Sequence, residues 1–151
     1  MSIKDLFGIN KKAQTRNIEM FEDLLKEYNL PGVALTKNQA IEVSKKWLSN
    51  FAFKTKAITG KWRLGENLWE AFARNLQPSL TNTKALMAYK QQSIEPFYIF
   101  DESGKHCYYC EASVFPELYN TGFDIYIMPI SEKWTIVFCH DNVVYFADRK
   151  D

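Results

Sequence analysis

The sequence predicts an α+β fold in which about four helices in the N-terminal part, 1–94, pack on an antiparallel β-meander of about five strands in the C-terminal part, 95–151. Three observations carry this expectation. Apolar residues recur at helical spacing as far as Gln92. Beyond Pro96, short runs rich in β-branched and aromatic residues alternate with turn residues. The densest such run, Phe123 to Phe146, breaks at Pro129–Lys133 and again at Asp141–Asn142. Helices that precede strands, rather than alternate with them, argue against βαβ units. At 151 residues the chain, 1–151, reads as a single domain.

Residues 1–14 read as an amphipathic lead-in or a mobile arm. From Asn17, the positions Ile18, Phe21, Leu24, Leu25 and Tyr28 follow helical spacing until Asn29–Gly32, where Pro31 and Gly32 punctuate a turn. Thr36 with Gln39 three residues later fits a capping box. The helix it opens places Ala40, Val43, Trp47, Leu48 and Phe51 on one stripe. A linker rich in Lys and Thr follows. A third stripe, Leu68, Trp69, Phe72 and Leu76, ends before Pro78, and a fourth helix is expected from Thr83 to Gln91.

Strands are expected at Phe97–Asp101 and His106–Ala112, joined by the Gly-containing loop Glu102–Lys105. An irregular connector, Val114–Tyr119, leads to three more strands at Gly122–Met128, Lys133–His140 and Val143–Asp148. Their alternation is apolar on both sides: Trp134, Ile136 and Phe138 face one way, Thr135, Val137 and Cys139 the other. Such a sheet needs cover on both faces, from helices or from a second chain. A homodimer is compatible with that need.

Composition, 46% hydrophobic and 25% charged, suits a soluble globular protein. MSIKDLFGINKK has no apolar core of a secretory signal, and no apolar run approaches the roughly 20 residues of a membrane span. Three cysteines, an odd number, suggest no disulfide framework and a cytoplasmic, reducing setting. The net charge of +1 hides an asymmetry: 15 Lys/Arg against 8 Asp/Glu up to residue 94, then 4 against 10. Opposite charge in the two parts can mark a partner surface.

No cofactor, metal or catalytic residue is expected. Cys107 and Cys110 have zinc-knuckle spacing, but on a strand residues three apart point to opposite faces. Cys139 and His140 are neighbours whose side chains diverge, and nothing marks an oxyanion hole beside them. His140 with Asp141 reads as a local structural pair at a turn. The stretch 45–63 is basic, with Lys54, Lys56, Lys61 and Arg63 among interleaved aromatics, a composition that can bind single-stranded nucleic acid. Because Trp47 and Phe51 belong to an apolar helical stripe, a solvated basic face is the simpler account.

Asp124-Ile-Tyr-Ile127, Trp134-Thr-Ile-Val-Phe-Cys-His-Asp141 and Tyr145-Phe146, in that order, resemble a small bacterial family, domain of unknown function 4275. The Gly-Pro often preceding the final Tyr-Phe there is replaced by Val143-Val144. Trp69-Glu-Ala-Phe-Ala73 is loosely similar to that family's upstream helix. The likeness implies no catalytic residues, and the size and build are similar to those of bacterial toxin-immunity proteins. The expected function is therefore a non-catalytic protein-binding module, an immunity-type inhibitor of a basic toxin domain, with partner contacts at Glu102, Glu111, Glu117 and Asp141. A nucleic-acid-associated module using 45–63 is the second reading. Binding of single-stranded nucleic acid should be weak or absent at physiological salt; a salt-sensitive complex abolished by neutralising Lys54, Lys56, Lys61 and Arg63 would promote that reading.

Overall fold

Two adjacent strands, Ile125–Pro129 (β5) and Trp134–Phe138 (β6), bury every one of their residues. The computed structural model describes residues 22–52, 68–73, 77–103 and 106–149. Its sheet has seven strands, all paired antiparallel, in the order β1-β4-β3-β5-β6-β7-β2. The others are Gly32–Ala34 (β1), Leu80–Thr81 (β2), Phe97–Asp101 (β3), Cys107–Cys110 (β4) and Val144–Asp148 (β7). Among the described residues four helical segments accompany them: residues 22–27 (the described part of α1), Lys37–Phe51 (α2), Glu70–Ala73 (α3) and Thr83–Lys90 (α4).

This corrects the predicted architecture. The strands number seven, not five, and helices and strands interleave: β1 lies between α1 and α2, and β2 between α3 and α4. Both missed strands are very short, GVA and LT, with every residue exposed. A run of two or three residues has no period to detect. β1 is a strand because it pairs with β4, and β2 because it pairs with β7.

Alternation on the central strands divides the interior into two layers. On one face Phe97, Ile99, Ile125, Ile127, Ile136, Phe138 and Phe146 meet α1, α4 and the connector around Leu118. On the other, Phe100, Tyr126, Met128, Val137, Tyr145 and Ala147 meet α2 and α3. The helices thus supply the cover that the two-sided apolar pattern demands. Trp47 is fully buried at the centre of the second layer, with Phe51, Phe72 and Tyr126 rings 5.1–5.9 Å away. Its indole N–H donates to Thr135 Oγ1 at 2.8 Å, and the Thr135 hydroxyl donates to the Ile127 carbonyl at 2.8 Å. The only threonine on β6 therefore has a reason to be there: it completes the one polar group that Trp47 brings inside.

Local signals close the elements. The Thr36–Gln39 capping box forms in both directions. α1 ends in a Schellman motif, with Asn29 at φ 53° and N–H bonds from Leu30 to the Leu25 carbonyl and from Asn29 to the Lys26 carbonyl. The β6–β7 loop is a three-residue hairpin turn with Asn142 at φ 67°. Replacing Thr135 by the isosteric valine should leave the Trp47 N–H buried without an acceptor. The expected cost is roughly 1–3 kcal/mol despite valine's better strand propensity, read as a lower urea midpoint at unchanged m.

Candidate functional site, a pair of acid-lined grooves

The structure splits the four predicted partner residues into two groups. Glu111 and Glu117 line one open groove of about 900 Å³. Three segments wall it: Tyr28–Pro31, the end of α4 through Gln92 and Ile94, and the 111–117 connector. The connector is held by its aromatic ring and its backbone. Phe115 packs 5.0–5.7 Å from Trp134, Phe97 and Tyr89, and the Tyr89 hydroxyl donates to the Pro116 carbonyl at 2.5 Å. The groove is therefore a shaped surface on anchored chain. Glu111 is exposed and accepts from the Tyr109 hydroxyl at 2.9 Å, while Glu117 pairs with Lys90 at 3.1 Å. Ile94 and Val114, 45% and 69% exposed, add apolar surface.

A second groove, about 450 Å³, lies on the other side of Tyr28, which lines both. Asp23 and Glu27 of α1 line it. Among the described residues, the two grooves carry four carboxylates, Asp23, Glu27, Glu111 and Glu117, against the single ammonium of Lys90. Sequence reasoning missed Asp23 and Glu27. The signal was an acidic pair four residues apart on one helix face, hidden because the surrounding part of the chain is net basic.

Glu102 and Asp141 lie elsewhere. Glu102 is half-buried and accepts from the Leu68 N–H at 2.9 Å and, through a very short contact, from the Tyr126 hydroxyl. The Tyr126 oxygen in turn accepts from the Trp69 N–H at 3.1 Å. Two backbone donors before α3 are thus satisfied by side chains from the sheet, where a local cap would ordinarily serve. Burial pushes the Glu102 carboxyl up to about 7, against the lowering effect of its two hydrogen bonds, and nearby Asp124 and Asp101 push the same way as burial. Asp141 is exposed in the β6–β7 turn, where its carboxylate accepts from the Val143 N–H at 3.2 Å. Glu102 therefore holds a helix in place, and Asp141 shapes a loop. Lys54, Lys56, Lys61 and Arg63 lie outside the described residues.

The chemistry at the sheet's other groups is equally settled by placement. His140 pairs with Asp124, not with Asp141: Asp124 Oδ1 receives both the His140 backbone N–H and its Nδ1 at 2.8 Å. That pairing raises the imidazole pKa. Cys107 and Cys110 face opposite layers of the core, and burial pushes both thiols up to about 12. Burial raises Cys139 as well. A neutral, buried thiol is a poor nucleophile and a poor metal ligand. Among the described residues no three His, Cys, Asp or Glu side chains converge to hold a metal ion.

No family model, no curated protein and no solved structure matches this chain. The pH dependence of stability offers a direct check on Glu102. A carboxyl with a folded pKa near 7 and an unfolded value near 4.5 keeps its full stabilising contribution below pH 4.5 and loses it as pH rises through 7. The stability of the native chain minus that of Glu102→Gln should therefore fall across this window, by at most about 1.4 kcal/mol per pH unit. A flat difference in urea melts between pH 4.5 and 7.5 would show an unshifted carboxyl.

Proposed function

We propose that this chain is a non-catalytic protein-binding module whose docking surface is the pair of grooves around Tyr28, and that its partner is basic. The observation that supports this reading is the set of four carboxylates against one ammonium that the described residues place along two contiguous grooves, with Ile94 and Val114 exposed beside them. Carboxylates so arranged steer a cationic surface and suppress acidic competitors, while the apolar side chains add contact area. An immunity-type inhibitor of a basic toxin domain fits this surface chemistry, and in such a role neutral thiols and paired histidines need do no chemistry.

Capture experiments with the full chain test the reading. The double variant Glu27→Lys/Glu117→Lys reverses charge in both grooves. Glu42→Lys reverses an exposed acid on α2 that is absent from the walls of both. Glu27→Lys and Glu42→Lys should each shift stability by under about 0.5 kcal/mol, and Glu117→Lys, which also loses the Lys90 pair, by about 1 kcal/mol. The captured protein should be basic, be lost to the groove variant and be retained by Glu42→Lys. Equal capture by both variants would remove the grooves from the interaction.

A further inference from the structure

Among the described residues β1 is the last strand at one side of the sheet, and Gly32, Val33 and Ala34 are all exposed. The register determines where their backbone groups point. The Leu35 N–H donates to the Cys107 carbonyl at 2.9 Å, so Leu35–Cys107 is a hydrogen-bonded pair. In an antiparallel ladder such pairs alternate, which makes Val33–Tyr109 the next one. Gly32 and Ala34, opposite Cys110 and Tyr108, occupy the intervening pairs and turn their N–H and C=O groups away from β4.

A row of side chains leads to the same edge. Val33, Tyr109 and Tyr98 are register partners across β1, β4 and β3, with the two tyrosine rings 6.1 Å apart. Val33 ends the row at 66% exposure. Glu111 follows Tyr109 by two residues and accepts from its hydroxyl, so it lies on the same side, just past the Gly32–Cys110 pair. Pro31, the residue before Gly32, belongs to the wall of the larger groove. Edge and groove are continuous there.

Resting on the reading of the grooves as a docking surface, the geometry points to how the basic partner binds: an extended segment of it adds antiparallel to β1 as an eighth strand. Its backbone pairs with Gly32 and Ala34. A β-branched or aromatic residue beside Val33 continues the Val33–Tyr109–Tyr98 row, at a non-hydrogen-bonded position where facing side chains come closest. Two residues further along the added strand, on the same side, a lysine or arginine crosses Pro31 to reach Glu111. Recognition thus reads a short pattern, a β-branched or aromatic residue, any residue, then a cation. The outward carboxylates of the groove favour that cation by charge complementarity.

The probe is the peptide acetyl-Thr-Tyr-Thr-Val-Thr-Lys-Thr-amide, titrated into the unmodified full chain and followed by backbone amide NMR. Binding should move the Gly32 and Ala34 amides first. N-methylation of the two threonines flanking valine removes donors that face β1, and affinity should fall about tenfold or more, each lost net hydrogen bond counting several-fold. N-methylation of the valine, whose N–H faces outward, should leave affinity within about threefold. Glu111→Lys should weaken the parent peptide. Equal binding of both methylated peptides, or shifts confined to the groove with Gly32 and Ala34 unmoved, overturns strand addition. If Glu117→Lys still weakens the peptide in that event, the groove reading survives. If no peptide shifts any amide at millimolar concentration, strand addition is overturned while the capture experiment judges the grooves separately.

Discussion

Because every residue of β5 and β6 is buried, neither face of the sheet's centre meets water, and most of the architecture follows from that constraint. One face takes α1, α4 and the connector around Leu118; the other takes α2 and α3. The large aromatics serve this closure before anything else: Trp47 and Phe51 on α2, Tyr89 on α4 and Phe115 on the connector fill the two layers. With both faces closed, the surfaces left for a partner are the sheet's margins and the ends of its strands. The larger groove, where β1 begins and β4 ends, and the side of β1 that no described strand pairs with are such places. An apolar sheet face awaiting a second chain is not present among the described residues.

Charge is distributed by the same logic. Among the described residues the helices carry acids of their own, Glu22, Asp23 and Glu27 on α1 and Glu42 on α2. Individual contacts cross from the helices to the C-terminal part, Lys46 near Glu132 at 3.9 Å and Lys90 to Glu117 at 3.1 Å, the first of these long. Exposed pairs of this kind contribute at most about 1 kcal/mol each. They leave Asp23, Glu27 and Glu111 to set the character of the surface around Tyr28. Glu102 is a different kind of acid. Its carboxyl is spent on two donors inside the protein, and its raised pKa reports that enclosure.

The cysteines and histidines are placed by the same sheet. A cysteine pair with ligand spacing is divided by the sheet itself, one thiol to each layer. Depriving a thiol of water disfavours the thiolate, so the same burial that makes Cys107 and Cys110 good core residues pushes their pKa up to about 12. His140 finds its carboxylate across a strand pair rather than beside it in the chain.

Local order was legible in the residues. The Thr36–Gln39 box, the stop at Asn29, the break at Asp141–Asn142 and the opposed faces of 134–139 each depend on neighbours within a few positions, where sterics and hydrogen bonding act without the rest of the fold. What depends on long-range pairing was not legible. β1 and β2 are too short to carry a period and exist through β4 and β7. Glu102 reads as a surface acid until Tyr126 and Leu68 close around it. The grooves assemble α1, α4 and a connector from residues about 90 positions apart, so Asp23 and Glu27 join Glu111 and Glu117 only in three dimensions. Sequence determines which side chains share a face; only the closure of the sheet by its helices decides which of them remain outside to meet a partner.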